Sequence, residues 1–174
     1  MTNVVFSFIK KKRVSIPVFI VLFAFVVLCF KPVHWNISRT MTVQIIENLS
    51  DGSAVEGEMI VKGTYWFYLL RPDVFEGRIE IAAFPETAGK NVELRVAEKL
   101  PDPLVYRSWD GSILTGESFG LIWAGVGMKK MIILKSDANG TINLDGEKTC
   151  VILAGDTTPN DAWKLLKSLQ QLSE

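Results

Sequence analysis

The chain reads as a mainly β protein: an antiparallel sandwich or partly open barrel of about 8–9 strands, closed by one C-terminal amphipathic helix and preceded by a single N-terminal transmembrane helix. Three observations carry this reading. Short apolar runs of strand length recur between Met41 and Ala154 with no sustained helical period. Asp51-Gly52, Asp110-Gly111, Asn139-Gly140 and Asp145-Gly146 fall between such runs, and these pairs supply the positive φ angles of tight hairpins. Near the start, Lys10-Lys11-Lys12-Arg13 gives way to an uncharged, mostly apolar run from Val14 to Phe30, closed by Lys31.

As a helix, the 17 residues of that run extend roughly 26 Å, and continuation to Trp35 gives roughly 33 Å, enough for a hydrocarbon core of about 30 Å. Pro17 sits near the start, where a missing N–H costs least, and Ser15 suits a cap. The basic excess precedes the span, so residues 1–13 are expected in the cytoplasm, 14–35 as a signal-anchor helix in the cell membrane, 36–40 as a short stalk and 41–174 outside. Trp35 fits an interfacial anchor, and Lys31 can snorkel to the headgroups. Cleavage after the run is disfavoured, because Phe30-Lys31-Pro32-Val33-His34-Trp35 offers no small-residue pair. Acylation at Cys29 is disfavoured too, because bulky Leu28 precedes it.

The strands expected in order are Met41–Glu47, Glu58–Leu70, Gly77–Ala83, Asn91–Ala97, Leu104–Trp109, Phe119–Trp123, Lys130–Leu134, Thr141–Leu144 and Lys148–Ala154. Val92, Leu94 and Val96 alternate on one face, as do Phe75, Ile79 and Ile81 around Gly77. The strands within 130–154 read as a meander. Thr158-Pro159-Asn160-Asp161 then combines an N-cap, a proline at the first helical position and an acidic third residue. The helix that follows, 159–172, places Ala162, Leu165, Leu166, Leu169 and Leu172 on one stripe and should close over the sheet.

Composition narrows function. From Arg39 onward the chain carries 14 basic and 19 acidic residues, a net charge of about −5, which disfavours nucleic-acid binding. Only Cys150 lies beyond the apolar run, so the domain has no internal disulfide and holds itself by burial. With His34 as the only histidine, a transition-metal site is not expected, and no cofactor is implied.

Several motifs invite a sharper reading. Gly116-Glu117-Ser118-Phe119-Gly120 matches a nucleophile elbow, but His34 lies upstream, so Ser118 would need Lys129 or Lys130 as its base. Asp137-Ala138-Asn139-Gly140-Thr141-Ile142 matches the middle of a calcium loop, yet Lys135 and Gly146 stand where carboxylates should, and a hairpin turn explains the same residues. Tyr65-Trp66-Phe67-Tyr68 alternates across a strand. If Tyr65 and Phe67 face the core, then Trp66 and Tyr68, joined by Trp109, form an aromatic platform able to stack on a sugar or grip a protein. Asn36, Asn48 and Asn139 begin N-x-S/T triplets. The expectation is a membrane-anchored binding or accessory module without catalytic activity, engaging a protein or envelope component. Glycan or cell-wall binding through Trp66, Tyr68 and Trp109 is the second reading, and a Ser–Lys hydrolase at Ser118 the third.

Overall fold

Eight antiparallel strands form one sheet that curls until its two edges nearly meet. The structure, a computed structural model, describes residues 17–27, 31–97, 100–144 and 149–173. The strands are β1 (Val33–Ile46), β2 (Ala54–Phe67), β3 (Asp73–Ile81), β4 (Val92–Val96), β5 (Asp102–Asp110), β6 (Ile113–Ala124), β7 (Met131–Lys135) and β8 (Cys150–Ala154). A helix α1 covers 17–27, and α2 spans Pro159–Ser173. The sheet order is β4-β3-β2-β1-β8-β7-β6-β5. Two meanders, β1–β4 and β5–β8, are thus joined by the pairing of β1 with β8, Val43 opposite Ala154.

At the remaining seam β4 approaches β5. Asn91 and Arg107 exchange backbone hydrogen bonds of 3.1 and 2.7 Å. The Arg95 N–H donates to the Asp102 carboxylate at 2.8 Å, and Arg107 pairs with Glu93 at 2.6 Å. The barrel is nearly closed.

An eight-stranded barrel leaves an interior about wide enough for side chains to fill. Here they fill it. Tyr65, Phe75, Tyr106, Met59, Ile79 and Ile133 are wholly or almost wholly buried, and every strand contributes to this cluster. The Tyr106 hydroxyl donates to the Ile79 carbonyl at 2.7 Å, so the buried phenol is satisfied; burial first, then Glu86 and Glu80, push it well above its ordinary pKa.

Tight curvature needs a close approach of backbones, and Gly63 opposite Gly77 provides it between β2 and β3. A Cβ on Gly63 would lie 2.3 Å from the Glu76 carbonyl oxygen; on Gly77 it would lie 2.2 Å from that of Lys62. The Phe75 ring packs over both glycines in place of side chains. On the other side of the barrel a register shift between Leu104 and Val105 leaves Phe119 as the extra residue of β6, buried against Tyr106 and Phe84 with ring centroids 5.5 Å from each.

A second, outer layer covers β7 and β8. Ile132, Leu134, Val151 and Leu153 point away from the barrel and meet Ala162, Leu165 and Leu166 of α2. The helix starts as expected: the Asp161 N–H donates to Thr158 Oγ1 at 3.3 Å while the Thr158 N–H donates to Asp161 Oδ2 at 3.1 Å. Those Thr158 hydrogen bonds hold the Asp161 carboxyl below the usual carboxylate range.

Three expectations need correction. Residues 36–40 are not a stalk, and 33–35 are not helix: all belong to β1, because the 14 residues of β2 pair with a strand of equal length, Val33 opposite Phe67, and Ile37 enters the core. Among the described residues no helix is long and apolar enough to cross a membrane. The described helical part of the expected span is 17–27, while 14–16 and 28–30 lie outside the described residues. Thr141–Leu144 is not a strand; Ile142 and Leu144 instead pack as loop residues beneath α2, where apolar contact replaces ladder pairing. The barrel therefore has eight strands.

Candidate functional site

The barrel has two ends, and the strand register sorts every candidate residue between them. One end, the proximal rim, gathers the start of β1, the end of β2, the loops 68–72 and 125–130 and, between β4 and β5, the described residues 97, 100 and 101. The distal rim gathers the hairpins at 47–53 and 111–112, the connection 82–91 and the loop after β7.

Trp66 and Tyr68 belong to the proximal rim. Trp66 faces outward from β2, half-buried, with the His34 ring 4.7 Å away and tilted by 34°. Its indole Nε1 is buried without a hydrogen-bond acceptor. Tyr68 lies just beyond β2, and the Arg71 guanidinium sits 3.7 Å above its ring, a cation–π contact. Trp109 pairs with Leu114 beside the β5–β6 hairpin, at the distal rim; its side chain lies outside the described residues. The three aromatic residues are not brought together.

What organises the proximal rim is Asp73, a buried carboxylate at the start of β3. The Tyr65 hydroxyl donates to Oδ2 at 2.6 Å and the Tyr68 N–H donates to Oδ1 at 2.9 Å. A buried carboxylate needs such donors, and here they pin the loop 68–72 to the barrel floor. Burial, reinforced by Asp73, pushes the Tyr65 hydroxyl well above its ordinary pKa. Beside this network opens a cleft of about 460 Å³, lined by Phe67, Arg71, Val96, Leu100, Ala124 and Val126.

The same rim exposes apolar side chains at loop tips: Leu70 (73% exposed), Leu100 (55%) and Val126 (53%), with Leu69, Val33 and Trp35 also exposed. Its described loops carry Lys31, Arg71, Lys129 and Lys130 against one acid, Asp156. At the distal rim the balance reverses, with Glu47, Asp51, Glu86 and Asp137 against Lys90 among the described loop residues. Sequence reasoning missed this rim. It ran the second strand on to Leu70 and so took Leu69-Leu70 for strand residues, whereas β2 ends at Phe67. The available signal was Val126, an apolar residue between Gly125 and Gly127 where turn-forming polar residues are usual.

The remaining motifs resolve as local structure. Gly116–Gly120 lies wholly inside β6, so no strand–turn–helix elbow forms; Ser118 is exposed, and Lys129 and Lys130 sit at the opposite rim end of β6 and β7. Asp137 accepts N–H bonds from Asn139 and Thr141 at 2.9 and 2.8 Å, a turn closed by its own carboxylate. Among the described residues no group of three or more His, Cys, Asp or Glu could hold a metal ion. The Cys150 thiol is raised by burial, partly countered by Lys135. Asn36 lies in β1, its side-chain oxygen accepting from the Thr64 hydroxyl at 3.2 Å, and Asn48 caps the Ser50 N–H at 2.9 Å. A second groove, of about 360 Å³, is lined by Trp123, Ile132 and Leu165 together with Lys130, Asp156 and Lys164. Within it Lys164 pairs with Asp161 at 3.5 Å, an exposed contact one helical turn apart on α2, in contrast to the buried Tyr65–Asp73 contact. No family model matches the chain, and no curated protein or solved structure matches it.

Proposed function

We propose that this protein is a membrane-anchored binding or accessory module, held by the apolar run 14–30 that includes α1 and working outside the cell membrane on a protein or envelope partner. The observation that carries the reading is α1. Its described residues 17–27 are uncharged and mostly apolar, and every one of them is exposed; Phe19, for example, is 73% exposed. A helix apolar on all sides with no partner in its own barrel is satisfied by lipid. The basic leader before it sets the orientation, with the barrel on the far side. The packed interior supports surface engagement rather than storage of a ligand inside the barrel, so partners are met through rims and outer faces.

The test is biochemical fractionation of the full chain expressed in cells. It should remain with membranes through alkaline carbonate extraction, and protease added from outside should digest the barrel while sparing the leader. Release by carbonate, or a barrel protected until the membrane is breached, would overturn the reading.

A further inference from the structure

We propose that the proximal rim seats itself in the headgroup layer of an anionic lipid leaflet, so that the barrel lies on the bilayer instead of swinging above it. The inference rests on the anchoring reading and adds a partner for one named face. Three independent observations lead to it. Reach is the first: only six residue steps separate Val27, the last described residue of α1, from Val33, the first of β1. At about 3.5 Å per residue that link cannot exceed about 21 Å, and β1 starts at the proximal rim. Shape is the second, since Leu69, Leu70, Leu100 and Val126 crown three separate loops on that one end. Amphipathic Trp35 stands beside them, with its ring 4.9 Å from Tyr65. Charge is the third: Lys31, Arg71, Lys129 and Lys130 lie at the same end against one loop acid, Asp156, whereas the distal rim is acidic. Apolar tips beside a basic excess match the two terms of interfacial binding, buried apolar area and attraction to anionic lipid. The opposed rim charges also orient the barrel, because the acidic end is repelled by the surface that attracts the basic end.

The experiment uses the full chain reconstituted into vesicles of phosphatidylcholine with or without phosphatidylglycerol. In a C29S, C150S background, Leu70→Cys and Ile113→Cys each carry an environment-sensitive fluorophore; both positions are exposed, and position 113 lies on the distal rim. A lipid-borne quencher should quench the label at 70 at least about threefold more than that at 113 when anionic lipid is present. Replacing Arg71, Lys129 and Lys130 by Glu should bring the two labels to similar quenching. Equal quenching at 70 and 113, with the chain still floating with its vesicles, overturns the rim contact while leaving the anchor standing. Unchanged contrast in pure phosphatidylcholine overturns the anionic part. Failure to float with vesicles overturns the anchor and this contact together.

Discussion

The two sides of the barrel wall use differently patterned strands, and the difference tracks how many faces each side buries. In β2, Met59, Val61 and Tyr65 turn inward while Glu58 and Lys62 meet water. In β4 the alternation is strict. β7 (Met-Ile-Ile-Leu-Lys) and β8 (Cys-Val-Ile-Leu-Ala) are almost continuously apolar, because the barrel covers one face and α2 with the loop 136–144 covers the other. A period of two therefore reports a wall with one wet face, and a continuous apolar run reports a wall with none.

Mutations can break or sharpen that contrast. The largest effect is expected on the single-layer side, where Gly77→Val drives a side chain into the Lys62 carbonyl. A loss beyond about 4 kcal/mol, or no soluble folded chain, should follow in denaturant titration. On the double-layer side Leu166→Ala, at a fully buried position, should cost about 2–5 kcal/mol. The matched control, Lys62→Ala on the wet face of β2, should stay within about 0.5 kcal/mol in the same urea series. If the two cost the same, α2 is not a second layer.

Alkali should attack the single-layer side first. Tyr65 and Tyr106 have raised folded-state pKa values, so the unfolded chain ionises before the folded one. Their contribution is intact below about pH 10 and falls as pH rises further, by up to about 1.4 kcal/mol per unit for each tyrosine. Unfolding midpoints measured from pH 9 upward check this. Tyr65→Phe leaves Asp73 Oδ2 without its donor and should cost about 1–3 kcal/mol, with the loop 68–72 gaining hydrogen exchange. Smallest of the expected losses, the Lys62→Ala control apart, Thr158→Ala removes the α2 cap at about 1 kcal/mol, measurable as a lower urea midpoint.

Much of the wall was legible in the residues, for reasons the contrast makes plain. Alternation at Val92, Leu94 and Val96 and the turns at Asp51-Gly52 and Asp110-Gly111 are local signals, and the corresponding strands and hairpins formed. The start of β1 was not legible, because Val33-His34-Trp35 continues an apolar run and only its partner, Phe67-Trp66-Tyr65, makes it a strand. Thr141–Leu144 misled for the opposite reason: its apolar residues serve the outer layer without ladder pairing. Of the proposed aromatic platform, spacing put Tyr65 and Trp66 on opposite faces of the strand, and the fold turns Tyr65 inward. Spacing could not reveal that Trp109 belongs to the other end, since that depends on the register of five successive strand pairings, from β2 through β1, β8, β7 and β6 to β5. Asp73 was invisible as an organiser because its donors come from the fold.

The pairing of β1 with β8 has a consequence for biosynthesis. Ile46 meets Val151 across more than a hundred intervening residues, so closure must await nearly the whole polypeptide, and loop-closure entropy opposes it until then. A chain interrupted before Cys150 would keep β1 and β7 as unpaired edges, open to pairing with other chains. Premature termination should thus yield aggregates rather than a smaller working domain.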